Sequence, residues 1–191
     1  MISAAKGNNA ADVELVRSFA NTVDVEDGTD RLASIEEFRD WLGAHGLIGP
    51  DQRVGPDELA LARDLRHALR AEMASHHDDS PDPEARATLD RLATALRVRI
   101  VPSTGNLEPV EGGPRGALTR VLASTHNLVR AGVWERLKIC PEDTCAWAFY
   151  DESRNRSRRW CSMRVCGNRQ KVRAYRTREA REAREGTTPG G

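Results

Sequence analysis

The sequence predicts an α+β fold, mainly helical. An N-terminal helical domain with a small β-hairpin is followed by a C-terminal four-cysteine module made of a second β-hairpin and a helix. Three observations predict this. Apolar residues recur at helical spacing over most of the chain up to Ala131. The pattern gives way to short β-type runs bounded by turn residues at two places, around Val98 to Val110 and around Leu137 to Tyr150. All four cysteines fall late in the chain, as Cys140-x4-Cys145 and Cys161-x4-Cys166.

Taken in order, residues 1–11 carry one lysine and no apolar run, so they are expected to be disordered and are neither a signal peptide nor a membrane anchor. A helical domain is expected over 12–133. Asp12 is the expected N-cap of a first helix whose inner face is Val13, Val16, Phe19, Ala20 and Val23, broken by Gly28 and Asp30. Ser34-Ile-Glu-Glu37 forms a capping box for a second helix that turns Phe38, Trp41 and Leu42 inward and stops before Gly46. Pro56 opens the longest helix, 56–76, with Leu59, Ala62, Leu65, Leu69 and Met73 in one stripe. His76 and His77, beside Asp78 and Asp79 on its exposed frayed end, are not read as metal ligands, since adjacent side chains rarely converge on one ion.

A fourth helix is expected over 83–96. A hairpin follows, from Val98 and Ile100 through the turn at Pro102 to Asn106 and on to Val110. The fifth helix, 115–131, faces Leu118, Val121, Leu122, Thr125, Leu128 and Val129 inward, with His126 a packed or capping residue, and Gly132 ends it. The cysteine module, 134–180, is expected as strands 137–140 and 147–150, a turn carrying the first cysteine pair, and a helix from 158 or 162 to 180. The free amides at the start of that helix should stabilise Cys161 and Cys166. With so few residues available for a core, Trp147, Phe149, Tyr150 and Trp160 should be buried. Residues 181–191 read as a disordered tail.

Two close cysteine pairs separated by fifteen residues are the arrangement that lets four thiolates meet on one ion. Soft sulfur ligands favour Zn²⁺ over Mg²⁺ or Ca²⁺. Two disulfides, an iron-sulfur cluster or a catalytic zinc would also use cysteines. Disulfides need an oxidising compartment, clusters usually have tighter and more asymmetric runs, and a hydrolytic zinc keeps a position open for water. One structural Zn²⁺ on Cys140, Cys145, Cys161 and Cys166 is therefore the expected cofactor.

The charge is split. Formal net charge is zero, but residues 1–135 hold 15 Lys and Arg against 22 Asp and Glu, net −7, and residues 136–191 hold 14 against 7, net +7. From Arg154 to Arg178 there are ten basic residues and no acidic one. Such a block needs a polyanionic partner, after one or two arginines have neutralised the thiolates. No stretch approaches eighteen consecutive apolar residues, so no membrane span is expected and the protein is placed in the cytoplasm, where thiols stay reduced.

The residues from Asp151 to Arg176, including Arg159-Trp-Cys-Ser-Met163, Cys166-Gly-Asn-Arg169, Lys171 and Arg173, together with Cys140-Pro141, resemble the CGNR zinc finger. Phe19-Ala-Asn-Thr22, Trp41-Leu42 and the block from Arg97 through Trp134 are similar to the ABATE domain that usually precedes it. The two resemblances cover nearly the whole chain. They imply a zinc-dependent module that binds duplex DNA at the C-terminus of a transcription regulator.

On that reading Arg169, Lys171, Arg173 and Arg176 contact DNA from the last helix, and Arg154, Arg156, Arg158 and Arg159 grip phosphate from the preceding loop. The helical body would sense an unknown small-molecule effector or form a homodimer, with Asn21, Thr22 and Trp41 as candidate pocket residues. An intrahelical hydrogen bond and a core aromatic are the simpler account of those three, and the preferred one. The alternative function is a zinc-stapled RNA-binding or protein-interaction module, since the basic block does not distinguish polyanions. An enzyme is not expected: no nucleophile with a base, open metal site or phosphate-cradling glycine loop is present.

Overall fold

Helix α3, Pro56–Ser75, is the longest element whose whole apolar stripe is buried, and the other helices of the N-terminal body pack against it. In the computed structural model, residues 3–78 and 80–185 are described. Within them the order is α1 Ser3–Ala20, β1 Val23–Asp24, β2 Thr29–Asp30, α2 Ile35–Ala44, α3, α4 Pro83–Ala95, β3 Val98–Val101, β4 Asn106–Pro109, α5 Gly113–Arg130, β5 Leu137–Ile139, β6 Ala148–Tyr150 and α6 Asn168–Glu185. The strands form three separate antiparallel hairpins, β1–β2, β3–β4 and β5–β6. The architecture is the mainly helical α+β fold with a small C-terminal cysteine module that the sequence predicts.

Local chemistry explains most element ends. Ser34 Oγ accepts the Glu37 amide at 3.1 Å, as the capping box requires. Asp82 accepts the Glu84 and Ala85 amides, both at 3.0 Å, and Pro83 takes the first helical position of α4. Gly132, with φ +66°, turns the chain out of α5 through the left-handed region.

One apolar core joins the helices to the cysteine module. Val16 and Phe19 of α1, Leu65 and Leu69 of α3, and Leu118 and Leu128 of α5 are in the same cluster as Leu137, Ile139 and Ala148 of the C-terminal hairpin. Burying Leu137 and Ile139 contributes about 1.5–3 kcal/mol each before ordering costs, and the module gains that only against the helical body. Hydrogen bonds reinforce the joint. In the β5–β6 register Ile139 faces Ala148 and Leu137 faces Tyr150. Side chains of the helical body reach the hairpin from both sides. Asn21 Nδ2 donates to the Ala148 carbonyl at 2.9 Å, and its Oδ1 accepts the Ala148 amide at 2.7 Å. On the other strand His76 Nδ1 donates to the Leu137 carbonyl at 2.7 Å and His77 Nε2 to the Ile139 carbonyl at 2.6 Å. Both edges of a two-stranded hairpin are thus covered.

Several expectations are corrected. Helix α1 starts at Ser3, so Asp12 is no cap and the disorder expected for 1–11 does not extend over Ser3–Ala11. Asp12 instead accepts the Ser124 hydroxyl at 2.6 Å and the Asn127 amide at 3.3 Å, which ties α1 to α5. Val23 leaves the helix for β1, because Thr22 and Gly28 permit a tight hairpin where a plain break was expected. Val129 is 49% exposed and His126 is exposed, since α5 buries its small residues Ala117, Ala123 and Ser124 and the inward face is shifted away from Val129. Helix α6 continues to Glu185, and the rest of the expected tail, 186–191, lies outside the described residues, as do residues 1–2 and Asp79.

Asn21→Ala removes both bonds to Ala148 and leaves two strand groups without partners. We expect it to lower unfolding free energy by about 2–3 kcal/mol in urea titrations. A wild-type midpoint would mean that this edge is held by something else.

Candidate metal centre

The first ligand pair comes from a turn closing the β5–β6 hairpin. Cys140 follows β5 directly, and its amide donates to the Trp147 carbonyl at 2.9 Å. The Glu142 carbonyl then accepts the amides of both Cys145 (2.8 Å) and Ala146 (2.9 Å), curling the chain back towards Cys140. The curl forces Ala146 to φ +47°, which a residue with a Cβ seldom adopts. Its carbonyl is held by Arg70 from α3 at 2.7 Å.

The second pair arrives differently. Cys161 lies in the loop before Ser162, whose hydroxyl accepts the Val165 amide at 3.4 Å and opens one wide π-type turn, Met163–Gly167. Cys166 sits inside that turn, and α6 follows. The amide donors expected to stabilise Cys161 and Cys166 are not found among the described residues; the turn aims those groups elsewhere. A Cβ at Gly167 would come within 2.6 Å of Met163 Sδ and 3.5 Å of the Trp160 ring, so glycine lets the turn close over that indole.

All four sulfurs lie within 4.8 Å of one another. Cys145 and Cys161 are 3.5 Å apart, and Cys161 and Cys166 are 3.6 Å apart. A disulfide needs about 2.05 Å, whereas sulfurs at the corners of a tetrahedron around zinc are about 3.8 Å apart. The donor set therefore fits one tetrahedral zinc. Burial and then the neighbouring cysteines push the Cys161 thiol up, and burial heads the causes that push Cys166 up to about 12. A bound cation is what lets these two thiols ionise. Four sulfur ligands leave no open position, so the ion holds shape. Phe149 is buried among the cysteines, while Trp147 and Trp160 pack half-buried around them and Tyr150 is half-buried against the main core.

The loop between the pairs is folded around a buried ion pair that sequence reading missed. Asp151, fully buried, accepts from Lys138 Nζ (2.9 Å), the Ser153 hydroxyl (2.6 Å) and the amides of Ser153 and Arg158 (2.9 Å each). Lys138 also donates to the Arg156 carbonyl at 2.6 Å. Burial pushes the Asp151 carboxyl up, but the bonds from Ser153 and Lys138 outweigh it and hold the group at about 2. The sequence signal was an Asp-x-Ser turn opposite a lone lysine in a strand.

The eight candidate contact residues divide into two sets. Arg158 donates to the carbonyls of Trp160 and Cys161 and lies over the Phe149 ring. Arg156 donates to the Gly132 carbonyl and faces Glu135 at 3.5 Å. Arg169 pairs with Glu26 of the β1–β2 turn at 2.7 Å, and Arg173 pairs with the fully buried Glu142 at 2.6 Å. Burial pushes Glu142 up, yet the bond and charge of Arg173 bring it below the usual carboxylate range. These four arginines brace the loop and α6. Arg154, Arg159, Lys171 and Arg176 are exposed and make no ion pair among the described residues.

Asn21, Thr22 and Trp41 line one shallow cleft of about 360 Å³, with Trp147 on its far wall. The polar side-chain atoms of Asn21 and Thr22 are engaged. Asn21 holds Ala148, and the Thr22 hydroxyl donates to the Phe19 carbonyl at 2.8 Å and accepts from Arg66 at 3.2 Å. Trp41 packs edge-on to Phe19 and stacks on His45.

Compared with known families, residues 14–137 match the ABATE model, described as "Putative stress-induced transcription regulator". The chain belongs to the ABATE family. Residues 136–179 match the CGNR zinc finger, so this ABATE protein carries one structural zinc at its four-cysteine cluster. No curated protein matches the chain. Both matched families are described as a regulator or a zinc finger, not as enzymes. Among the described residues of this ABATE chain, no helix is long and apolar enough to cross a membrane.

Cys161→Ser should lower zinc from one per chain to near zero by elemental analysis, and full retention would exclude this ligand set. Because Asp151 is held low, its charge stabilises the fold fully above the ordinary carboxylate value of 3.8, and that contribution is lost as pH falls from there to about 2. Protons reach the thiolates earlier, so a zinc indicator should report release above about pH 4. Retention of zinc at pH 3 would contradict that order.

Proposed function

We propose that this ABATE protein is a DNA-binding transcription regulator whose zinc finger presents α6 and the loop before it to duplex DNA. The observation that carries the reading is a division of labour among cations. Arg158, Arg169 and Arg173 fix the loop and helix, and Arg154, Arg159, Lys171 and Arg176 are left facing solvent. With the loop and helix already fixed, only the free side chains, and not the segments that carry them, lose entropy on meeting phosphate.

Val172 and Tyr175, both exposed on α6, supply apolar contact between the basic flanks, suited to sugar and thymine-methyl surfaces. The acidic helical body would be repelled by the duplex, which leaves the finger as the docking end. On this reading the body is the effector-sensing or dimerising half, and the protein acts in the cytoplasm.

Single-strand stacking is less well supported, because Phe149 is buried and Trp147, Tyr150 and Trp160 are half-buried. An RNA arm belongs in the test all the same. With about five phosphates neutralised, the log affinity of zinc-loaded protein for duplex DNA should fall with log salt at a slope near −4.5. Lys171→Gln and Arg176→Gln should each make that slope shallower by about 0.9. Fluorescence anisotropy with duplex DNA and RNA competitors measures both. A slope near zero, or preference for RNA, would sink the proposal.

A further inference from the structure

Helix α3 carries Arg63, Arg66, His67 and Arg70 on one face, at the i, i+3, i+4 and i+7 spacing that aligns side chains along a helix. This face lines a groove of about 790 Å³ whose other walls include Val23, Asp30 and Ile139. The charges in the groove are unevenly matched. Arg66 makes a two-armed pair with Asp30, one arm at 2.8 Å, and its side chain is 13% exposed.

Arg63 and Arg70 bind only backbone. Arg63 donates to the Leu32 and Ala33 carbonyls, each at 2.8 Å; Arg70 donates to the Ala20 carbonyl at 2.8 Å and the Ala146 carbonyl at 2.7 Å. Carbonyl oxygens satisfy the donors of a guanidinium without neutralising its charge. Asp64 also lines the groove but comes within ion-pair distance of none of these cations among the described residues. Burial and then the charge of Arg66 pull Arg70 below its ordinary value, against the weaker opposing pull of Asp30.

We propose that this groove binds a small organic oxyanion, carboxylate or phosphate, whose charged end is held by Arg63, Arg66 and Arg70 and whose apolar part lies on Val23 and Ile139. Each guanidinium keeps donors beyond those used on backbone, in the planar fork that suits such oxygens. The site reaches the finger directly. Arg70 holds Ala146, the strained residue following Cys145, and Ile139 precedes Cys140. An anion competing for Arg70 would therefore act on the turn that carries the first ligand pair. Binding itself stands apart from DNA recognition; calling the ligand an effector rests on the regulator reading.

The test is calorimetric titration of the zinc-loaded full chain, without DNA, using inorganic phosphate in one arm and citrate in the other. One anion should bind per chain, and the arm with the higher affinity identifies the oxyanion preferred. Arg63→Gln should weaken binding about tenfold, the loss of a charge-assisted hydrogen bond. Asp64→Asn, which removes an exposed negative charge, should tighten it about threefold, a gain that misfolding would not imitate. A Lys171→Gln, Arg176→Gln double variant, aimed at the DNA-facing helix, should bind the anion as wild type does. No binding in either arm, indifference to both Arg63→Gln and Asp64→Asn, or loss in the α6 double variant would overturn the proposal. Since DNA is absent, failure here leaves the DNA reading untouched, and a flat salt slope with DNA leaves this one untouched.

Discussion

A strand pair three residues long cannot hold itself together in water, and the C-terminal end of this protein depends on how β5 and β6 are held. The helical body supplies the inner support. Leu137, Ile139 and Ala148 enter its core, and Asn21, His76 and His77 take the outward backbone groups of the two strands. The metal cluster supplies the outer support, closing the far end of the hairpin onto the turn that starts α6. Neither support suffices alone, because a module of this size buries too little apolar surface. The zinc finger is therefore built on the helical domain and shares its core.

Electrostatics divides along the same line. Charges that are buried have specific partners: Asp151 with Lys138, and Glu142 with Arg173. Those pairs cost desolvation and return it only through complete hydrogen bonding, which Asp151 has on both oxygens. Their value lies in shape. The Lys138–Asp151 pair determines the course of a loop that has no regular secondary structure, and Arg173 sets the angle at which α6 leaves the cysteine cluster. The cations left over can meet a ligand without rebuilding the fold.

The helical groove facing the finger follows the same logic from the other side. Arg63, Arg66 and Arg70 staple the chain segments around α3, and backbone carbonyls are most of what they staple. Arg66 is paired with Asp30, whereas Arg63 and Arg70 hold the fold together through carbonyl oxygens, which satisfy their donors without cancelling their charge.

Much of this was legible in the sequence. Cysteine spacing determined the metal cluster, because four thiolates and one tetrahedral ion allow few arrangements. Apolar periodicity and capping residues determined the helices, since both act within a turn or two of chain; Ser34, Pro56 and Asp82 stand where their helices begin. The charge split between body and tail was equally visible.

Only the tertiary structure decided the roles of Asn21, His76 and His77, which meet strands more than sixty or a hundred residues away. It also decided which arginines of one basic block are braces and which face solvent. A side chain's role depends on what lies across from it, and Glu26 lies 143 positions from Arg169. Local sequence carries propensity and ligand chemistry; the pairing of distant groups is settled when the chain packs.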